Sequence, residues 1–493
     1  MRRAQKEQLP DLLKTFYQAH DVIKEYVSNG EIENAGRLLT ECQETAIQLG
    51  TMIEQWEGEG FVTVGLLEEY CEILFQAYEG LDANRTDNRV NKLLNKKLIQ
   101  VENSVKSDIK ARLEIVFMPY KASMWDSLES IWMAAHRDPG CDAYVIPIPY
   151  YDRNPDYSFG KKHYEGAEYP EYVPVVDYKS YPLEKRRPDI IYIHSPYDDC
   201  NFVTSIDPRF YSKELKKYTD MLVYVSYFIS GYYASIGSIK KYITSCFFYS
   251  DKIILQSDKQ KELYTANGVP QTRLAVLGNP KTDFIKNSLS SVKIPEEWMR
   301  EAKGKTVFLV NTTISRILKD IRWAKCMNEL IDLFEDWEDI ILLWRPHPLI
   351  HSTIEAMRPD KISEYDSILS RMYKSKQVIV DQSNYAYAAI KLSDAMISDY
   401  SSLVMQYSLT GKPVLLTAGH RNYRNTKEVC FDYFSNYFVE DGTTEADFIK
   451  MVKSNSDEYK EERLADISKS IVNADGSCGD KIHHYICSIT EGW

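Results

Sequence analysis

The sequence has 493 residues, which is more than a single hydrophobic core normally serves, so it predicts two or three domains. Its formal net charge of −12 argues against broad electrostatic binding to nucleic acid. Nine scattered cysteines without a Cys-x-x-Cys pair predict reduced thiols and no zinc site. No apolar run reaches the roughly 18 residues of a membrane span, and no apolar core follows Met1, so we expect a cytoplasmic protein without a signal peptide.

Residues 1–110 predict an all-α domain. Apolar side chains recur at helical spacing in four stretches, separated by glycine-containing breaks at 29–30, 58–60 and 80. Four amphipathic segments can bury their apolar stripes as a helical bundle. We expect a helical cap or a surface for homo-oligomerisation, and docking to a partner or to membrane-bound machinery is the alternative.

From Leu113 onward, short apolar runs alternate with helical stretches, a pattern typical of parallel βαβ units. Ligands of such sheets bind at the carboxyl ends of the strands. The loop after the first strand therefore makes Lys121 and Ser123 candidate ligands, although a solvated lysine is at least as probable. Nine tyrosines between Tyr144 and Tyr181, interleaved with prolines, predict a long ordered loop with short extended pieces.

The strand at 190–194 ends in His194. A histidine in this place is suited to proton transfer, because its ordinary pKa of about 6.5 lies near working pH. A capping histidine in a turn is the alternative. The following Asp198 and Asp199 can orient the imidazole or bind a cation, and a solvated acidic turn is the simpler interpretation.

Three polar strand ends follow in the last third. They are Asn311-Thr312-Thr313, Arg345-Pro346-His347-Pro348, and Ser398-Asp399-Tyr400-Ser401-Ser402 before a helix that Gly411 closes. Arg345 and His347 can neutralise an anion, and the serine hydroxyls with the free N–H groups of a helix start can bind one. Simple helix capping is the alternative for Ser401 and Ser402.

The second and third of these stretches, with Gly411-Lys412-Pro413, resemble the CDP-glycerol glycerophosphotransferase family of teichoic acid polymerases and primases. That family carries an Arg-x-His-Pro turn and then a Ser-Asp-Tyr-Ser-Ser turn before a helix ending in Gly-Lys-Pro. The likeness extends from about Leu113 to the C-terminus.

Two further turns resemble the family less closely. His194 takes the place of the histidine in a Trp-His-Gly-Thr-Pro turn, but Ile193 and Ser195 replace Trp and Gly. Residues 197–199 stand where the family has a Leu-Lys pair, which leaves the acceptor open. Residues 278–283 match a Gly-x-Pro-Arg-x-Asp turn, with Lys281 in place of Arg.

The resemblance implies an α/β fold of two Rossmann-like domains, the GT-B architecture, after the all-α domain. It places an acceptor-side domain at 111–287 and a nucleotide-donor domain at 288–493. It implies transfer of a polyol phosphate, most simply glycerol phosphate, from a CDP-activated donor to an acceptor hydroxyl with release of CMP. It implies no metal and no cofactor, a lipid-linked glycan acceptor, and peripheral contact with the inner face of the cell membrane.

The implied site residues fall into three groups: His194 and His347 for catalysis; Arg345, Asp399, Ser401, Ser402, Asn311, Thr312 and Thr313 for the donor; and Lys121 and Ser123 for the acceptor. His194 is the predicted base. Asp399 is expected to hold a ribose hydroxyl, orient His347 or cap its turn, and Arg345 pairing with Asp399 is a structural alternative.

Two other functions remain open at this point. One is a nucleotide-sugar glycosyltransferase or 2-epimerase on the same fold. The other is a non-catalytic scaffold in an envelope-polymer complex. The absence of G-x-x-x-x-G-K-[ST], G-x-G-x-x-G and H-E-x-x-H motifs leaves a P-loop NTPase, a standard dinucleotide enzyme and a zincin unsupported.

Overall fold

The computed structural model describes residues 1–81, 88–154, 156–198, 200–201, 203–230, 239–240, 243–347, 350–383, 385–399, 401–417, 438–439 and 443–491, with backbone alone at 88–90, 315, 352, 356, 438–439 and 491. The predictions for Pro348, Tyr400, Asp199 and part of a helix through Lys240 lie outside these residues. The chain divides into two compact units, one of residues 1–115 with 138–142 and one of 116–137 with 143–493.

The first unit is built from helices, as its amphipathic pattern predicts. The helices are α1 (Arg3–Lys6), α2 (Leu9–Ser28), α3 (Ile32–Glu57), α4 (Val62–Gly80) and α5 (Asn88–Ser107). The apolar stripe of α3, with Leu39, Ala46, Leu49 and Ile53, is buried. Spacings of three, four and seven residues place these side chains on one face, which explains why the helix needs its neighbours to be stable.

The chain from Leu113 onward contains two six-stranded sheets and one small sheet. Its strands are β1 (Leu113–Met118), β2 (Cys141–Val145), β3 (Tyr150–Arg153), β4 (Phe159–His163), β5 (Ile190–Ile193), β6 (Thr204–Ile206), β7 (Met221–Val225), β8 (Lys252–Leu255), β9 (Leu274–Val276), β10 (Thr306–Thr312), β11 (Ile340–Pro346), β12 (Val378–Val380), β13 (Ala395–Ser398), β14 (Val414–Leu416) and β15 (Phe438–Val439). The central strands read as unbroken apolar runs because helices cover both faces of such sheets.

The helices of the second unit connect and cover these strands. They are α6 (Glu129–Arg137), α7 (Leu183–Arg186), α8 (Ser212–Leu215), α9 (Ser245–Tyr249), α10 (Asp258–Ala266), α11 (Lys281–Asp283), α12 (Glu296–Glu301), α13 (Ile314–Lys319), α14 (Trp323–Glu335), α15 (Ile350–Met357), α16 (Ile362–Lys374), α17 (Tyr387–Leu392), α18 (Ser402–Ser408), α19 (Glu445–Lys453), α20 (Lys460–Ser470) and α21 (Cys478–Glu491). None of the described helices is both long enough and apolar enough to cross a membrane.

The strand orders of the two large sheets each contain one reversal. The first sheet runs β2-β1-β5-β7-β8-β9, and the second runs β12-β11-β10-β13-β14-β15 with all its pairs parallel. The order reverses between β1 and β5 in the first sheet and between β10 and β13 in the second. Such switch points leave a crevice at the carboxyl ends, where doubly wound proteins bind their ligands. The prediction of two Rossmann-like domains is confirmed.

The tyrosine-rich segment is ordered, as predicted, but it contains a hairpin that the sequence did not reveal. Strands β3 and β4 pair antiparallel, and β6 pairs with the other edge of β3. Three of the five residues of β4 are exposed, and its sequence Phe-Gly-Lys-Lys-His carries no apolar alternation. This strand is held by its backbone partner, so an apolar pattern could not predict it.

The C-terminal segment forms three helices, α19 to α21. Asp283 accepts hydrogen bonds from the N–H groups of Cys478 (3.1 Å) and Gly479 (2.7 Å), and so caps the first turn of α21. Gly479 lets α21 approach α6 closely, because a Cβ at Gly479 would lie 2.4 Å from the backbone of Ser130. The last helix therefore packs on the first Rossmann-like domain.

Candidate active site

A cleft of about 770 Å³ lies at the carboxyl ends of both large sheets. Tyr120 and Lys121, which follow β1, line one side. Asn311–Thr313 at the end of β10 and Arg345–His347 at the end of β11 line the other. The two switch points thus face a common space, which makes this cleft the candidate active site.

The polar ends of β10 and β13 meet at the switch point of the second sheet. Asn311 lies opposite Ser398 in the register of the two strands. Its side-chain N–H groups donate to the hydroxyl oxygens of Ser398 (2.9 Å) and Ser401 (3.1 Å). Asn311, Thr312, Thr313, Ser401 and Ser402 all line the cleft, so five predicted donor-binding residues form one continuous surface.

Ser401 does not cap the helix that it precedes. It occupies the N-cap position of α18, yet its side chain accepts no hydrogen bond from the first turn of that helix. Its hydroxyl oxygen instead accepts from Asn311 and its side chain borders the cleft. The simple capping interpretation therefore does not apply to Ser401.

Asp399 lies behind this surface and holds two turns together. Its carboxylate accepts the backbone N–H of Thr313 at 3.0 and 3.2 Å and the hydroxyl of the same residue. Burial raises the pKa of Asp399, and the hydrogen bonds from Thr313 oppose that rise. Of the three roles expected for this residue, the contacts match the one of fixing its turn.

Arg345 is held by a partner that the sequence did not suggest. Its guanidinium donates to Asp381 (2.5 Å) and to the hydroxyl of Ser383 (3.3 Å), both of which follow β12. The ion-pair partner shown for Arg345 is thus Asp381, whereas the sequence left a pairing with Asp399 open. Arg345 is buried but still contributes to the cleft, so its charge is fixed in position before any ligand arrives.

His347 reaches the cleft from the end of β11, next to Arg345. Its side chain is exposed there. Partial desolvation, together with the positive charges of Arg345 and Lys121, lowers the pKa of His347 below its ordinary value. The imidazole is accordingly neutral at pH 7 and able to accept a proton.

His194 lies at the switch point of the first sheet but not at the surface of the cleft. It is buried, and its Nε2 accepts the backbone N–H of Tyr120 (3.1 Å). Its Nδ1 lies 3.0 Å from the hydroxyl of Ser127 and donates to it in the tautomer that the first contact requires. Burial lowers the pKa of His194 to about 3. Its predicted role as the base stays a prediction, because here both ring nitrogens are engaged away from the cleft.

Lys121 and Ser123, the predicted acceptor ligands, both line the cleft. The ammonium group of Lys121 lies 5.0 Å from the ring centroid of Tyr150 and 5.8 Å from that of Tyr120. Burial lowers the pKa of Lys121, and the nearby carboxylates of Glu165 and Asp152 oppose that effect. The structure thus brings together every predicted site residue except His194 and Asp399, which lie behind the surface.

Two features of the cleft were not predicted as site residues. The first is a buried cluster of Asp126, Lys281 and Tyr387, in which Lys281 contacts both carboxylate oxygens of Asp126 at 2.6 Å. The second is the aromatic lining by Tyr197, Tyr227 and Phe228. The sequence did hint at Lys281, because this residue stands in the 278–283 turn that matches a family motif. The other residues of the two features lie in stretches without a motif.

Two Rossmann-like sheets with a shared cleft at their carboxyl ends form the GT-B architecture. Residues 246–488 match the family model of CDP-glycerol:poly(glycerophosphate) glycerophosphotransferases. This segment, just under half of the chain, is a domain of that family, and the protein is a transferase enzyme.

Comparisons of structure support the fold. A putative UDP-N-acetylglucosamine 2-epimerase from Listeria monocytogenes is similar with a TM-score of 0.51 and 13% identity, over 78% of this chain and 98% of the epimerase. The wall teichoic acid polymerase TagF is similar with a TM-score of 0.50 and 15% identity, over 86% of this chain and 98% of TagF. These identities establish a common fold and nothing more. No curated protein matches the sequence.

Proposed function

We propose that this enzyme transfers glycerol phosphate from CDP-glycerol to an acceptor hydroxyl, in the synthesis of a teichoic-acid-like envelope polymer, and releases CMP. One observation carries the proposal. Arg345, His347, Ser401 and Ser402, which come from the two motifs of the family, line one wall of a single cleft. The match of residues 246–488 to the glycerophosphotransferase model supports it.

The proposed reaction is one displacement at phosphorus. The acceptor oxygen forms a bond to the phosphorus that carries glycerol. The bond from that phosphorus to the bridging oxygen of the diphosphate breaks, and CMP leaves with the electron pair. The acceptor proton passes to a base. Such a reaction depends mainly on positioning and on neutralising negative charge.

The second Rossmann-like domain provides groups for these tasks. Arg345, held by Asp381, offers a fixed positive charge for the diphosphate. The hydroxyl groups of Ser401 and Ser402 can donate hydrogen bonds to phosphate oxygens from the adjacent turn. Asn311 and Thr312 complete this wall, which we assign to the donor.

We assign the base to His347 and not to His194. A base must come within hydrogen-bond distance of the reacting hydroxyl and must be unprotonated at working pH. His347 lines the cleft and its pKa is lowered, so it meets both requirements. His194 instead positions the loop from Tyr120 to Ser127, which borders the acceptor side.

The remaining assignments follow the same proposal. The domain at 111–287 takes the acceptor, which is lipid-linked, and the domain at 288–493 takes the donor. The helical part at 1–110 serves as a docking or self-association surface. The enzyme then works at the inner face of the cell membrane.

Nucleotide binding and CMP release test this function. Calorimetry with CDP, CMP and UDP should show the tightest binding for CDP. The variant Ser401→Ala should weaken CDP binding by about ten-fold, because it removes a hydrogen bond to a charged group.

His347→Ala should lower the rate of CMP release from CDP-glycerol by about 100-fold or more. The control His351→Ala, at an exposed position of α15, should leave this rate unchanged. Preference for UDP would favour a nucleotide-sugar enzyme, and no nucleotide binding would favour a scaffold.

A further inference from the structure

The wall of the cleft that comes from the first Rossmann-like domain is rich in aromatic side chains. Tyr197 follows β5, and Tyr227 and Phe228 follow β7. All three are partly exposed at the cleft. The rings of Tyr227 and Phe228 lie edge to face with their centroids 5.2 Å apart, so each supports the orientation of the other. We refer to these three residues as the aromatic wall.

Positive charge is scarce beside the aromatic wall. Among the described residues that line this side of the cleft, the cations are Lys121 and Lys281. Both Lys281 contacts of 2.6 Å go to the carboxylate of Asp126, which balances its charge. Lys121 rests against the rings of Tyr120 and Tyr150. The carboxylates of Glu165 and Asp152 act on Lys121, so its charge is also partly balanced.

The residue after Tyr197 adds no attraction for an anion. Asp198 is buried with a left-handed backbone (φ 47°). Its carboxylate accepts the backbone N–H of Ser212 (3.0 Å) and the hydroxyl of the same residue (2.6 Å). These contacts hold Asp198 in place next to Tyr197, which lines the cleft. A carboxylate next to Tyr197 in the chain favours a neutral ligand over a polyanionic one at this wall.

We propose, on the basis of the function proposed above, that the aromatic wall binds a neutral sugar ring of the acceptor. The hydroxyl that receives glycerol phosphate then belongs to an uncharged glycan and not to a growing poly(glycerol phosphate) chain. The apolar C–H face of a sugar packs on aromatic rings, and tyrosine hydroxyls bond its polar edge. A chain with one phosphate per repeat needs several cations along its path, which the described residues on this side of the cleft do not provide.

An acceptor panel tests this inference with the full-length enzyme and CDP-glycerol. The neutral probes are octyl glycosides of glucose, galactose and N-acetylglucosamine, and the anionic probe is octyl oligo(glycerol phosphate). We expect transfer to at least one neutral glycoside with a kcat/KM at least about ten-fold above that of the anionic probe, a difference typical of one well-placed contact. An equal or better anionic acceptor, or transfer to none of the neutral glycosides, overturns the inference.

Variants of the aromatic wall test its role independently. Tyr197→Ala and Phe228→Ala should each raise KM for the accepted glycoside by about ten-fold, because each removes one aromatic contact. Tyr197→Phe keeps the ring and should recover most of the loss. Phe159→Ala, at an exposed ring of β4 outside the cleft, should leave KM unchanged. A rise in KM for CDP-glycerol instead would place the nucleotide base on the wall and overturn the inference.

The outcomes separate this inference from the proposed function. Binding of CDP and release of CMP, with oligo(glycerol phosphate) as the preferred acceptor, would leave the proposed function standing and remove the neutral acceptor. No CDP binding and no CMP release with any acceptor would remove both.

Discussion

The ammonium group of Lys281 lies 2.6 Å from both carboxylate oxygens of Asp126, and the hydroxyl of Tyr387 donates to the same carboxylate. Asp126 belongs to the loop after β1 of the first sheet, whereas Tyr387 begins α17 of the second Rossmann-like domain. All three side chains are buried, and all three line the cleft. The contact therefore fixes the two walls of the active site relative to each other.

Removal of one partner from this cluster should destabilise the enzyme strongly. Lys281→Met leaves a buried carboxylate without its counter-charge, and we expect a loss of about 3–5 kcal/mol in the free energy of unfolding. The double variant Lys281→Met with Asp126→Leu should recover part of that loss, because no charge is then left unpaired. Urea unfolding measures both values.

An exposed ion pair provides the control. Lys259 and Glu262 lie 3.8 Å apart with both side chains largely in solvent, so Lys259→Met should cost less than about 1 kcal/mol. Equal losses for Lys281→Met and Lys259→Met would show that the buried cluster does not hold the two domains.

The pH dependence of the reaction should respond to Lys121. His347 must be neutral to accept a proton, and its lowered pKa places the acid limb of kcat/KM below about pH 6.5, the ordinary value for histidine. Lys121→Gln removes one of the positive charges that disfavour the imidazolium. The pKa of His347 should then rise, and the acid limb should move to higher pH. Lys161→Gln, at an exposed position of β4, is the matched control and should leave the limb in place. A limb that does not move with Lys121→Gln would contradict the assignment of the base to His347.

Some parts of the candidate active site could be predicted from the sequence, and others could not. The ends of β10, β11 and β13 were predictable, because buried parallel strands read as apolar runs and the polar residues after them mark the ligand edge. The reversal of strand order that brings Asn311 beside Ser398 has no local signal, since the two residues are 87 positions apart. Only that reversal brings the polar ends of the three strands together as one surface of the cleft.

The cluster of Asp126, Lys281 and Tyr387 could not be predicted for the same reason. Its contacts join residues 155 and 261 positions apart, and neither Asp126 nor Tyr387 stands in a recognisable motif. The surroundings of His194 could not be predicted for a different reason. A histidine at a strand end was correctly located, but the sequence does not show that the N–H of Tyr120 and the hydroxyl of Ser127 occupy its ring nitrogens.

The burial of His194 should appear as a pH dependence of stability. Its pKa is about 3 in the folded enzyme and about 6.5 when unfolded. Between these values the unfolded chain binds a proton that the native state does not, so stability falls as pH falls, by up to about 1.4 kcal/mol per pH unit. His194→Gln lacks this titration, and the stability difference between wild type and variant should shrink from pH 7 to pH 5. His351→Gln, at an exposed histidine, should leave the wild-type slope unchanged.

The same variant separates the two candidate bases. Glutamine can still accept the N–H of Tyr120, so we expect His194→Gln to lower kcat less than about ten-fold, well short of the loss from removing a general base. A loss as large as that of His347→Ala would return proton transfer to His194.

The turn at 278–283 should be sensitive to a single methyl group. Gly278 adopts a left-handed backbone (φ 108°), and a Cβ there would lie 2.4 Å from the carbonyl oxygen of Val472. Gly278→Ala therefore combines backbone strain with a collision, and we expect a loss of about 3 kcal/mol in the free energy of unfolding. Gly268 also has a left-handed backbone (φ 91°) but open space around it, so Gly268→Ala carries the strain alone, about 1 kcal/mol. Thermal unfolding of both variants measures the two losses, and their difference is the cost of the collision.

Asp283 of the same turn caps α21. A larger loss for Gly278→Ala therefore also means that the turn anchors the last helix. Equal losses would show that the chain around Val472 moves aside.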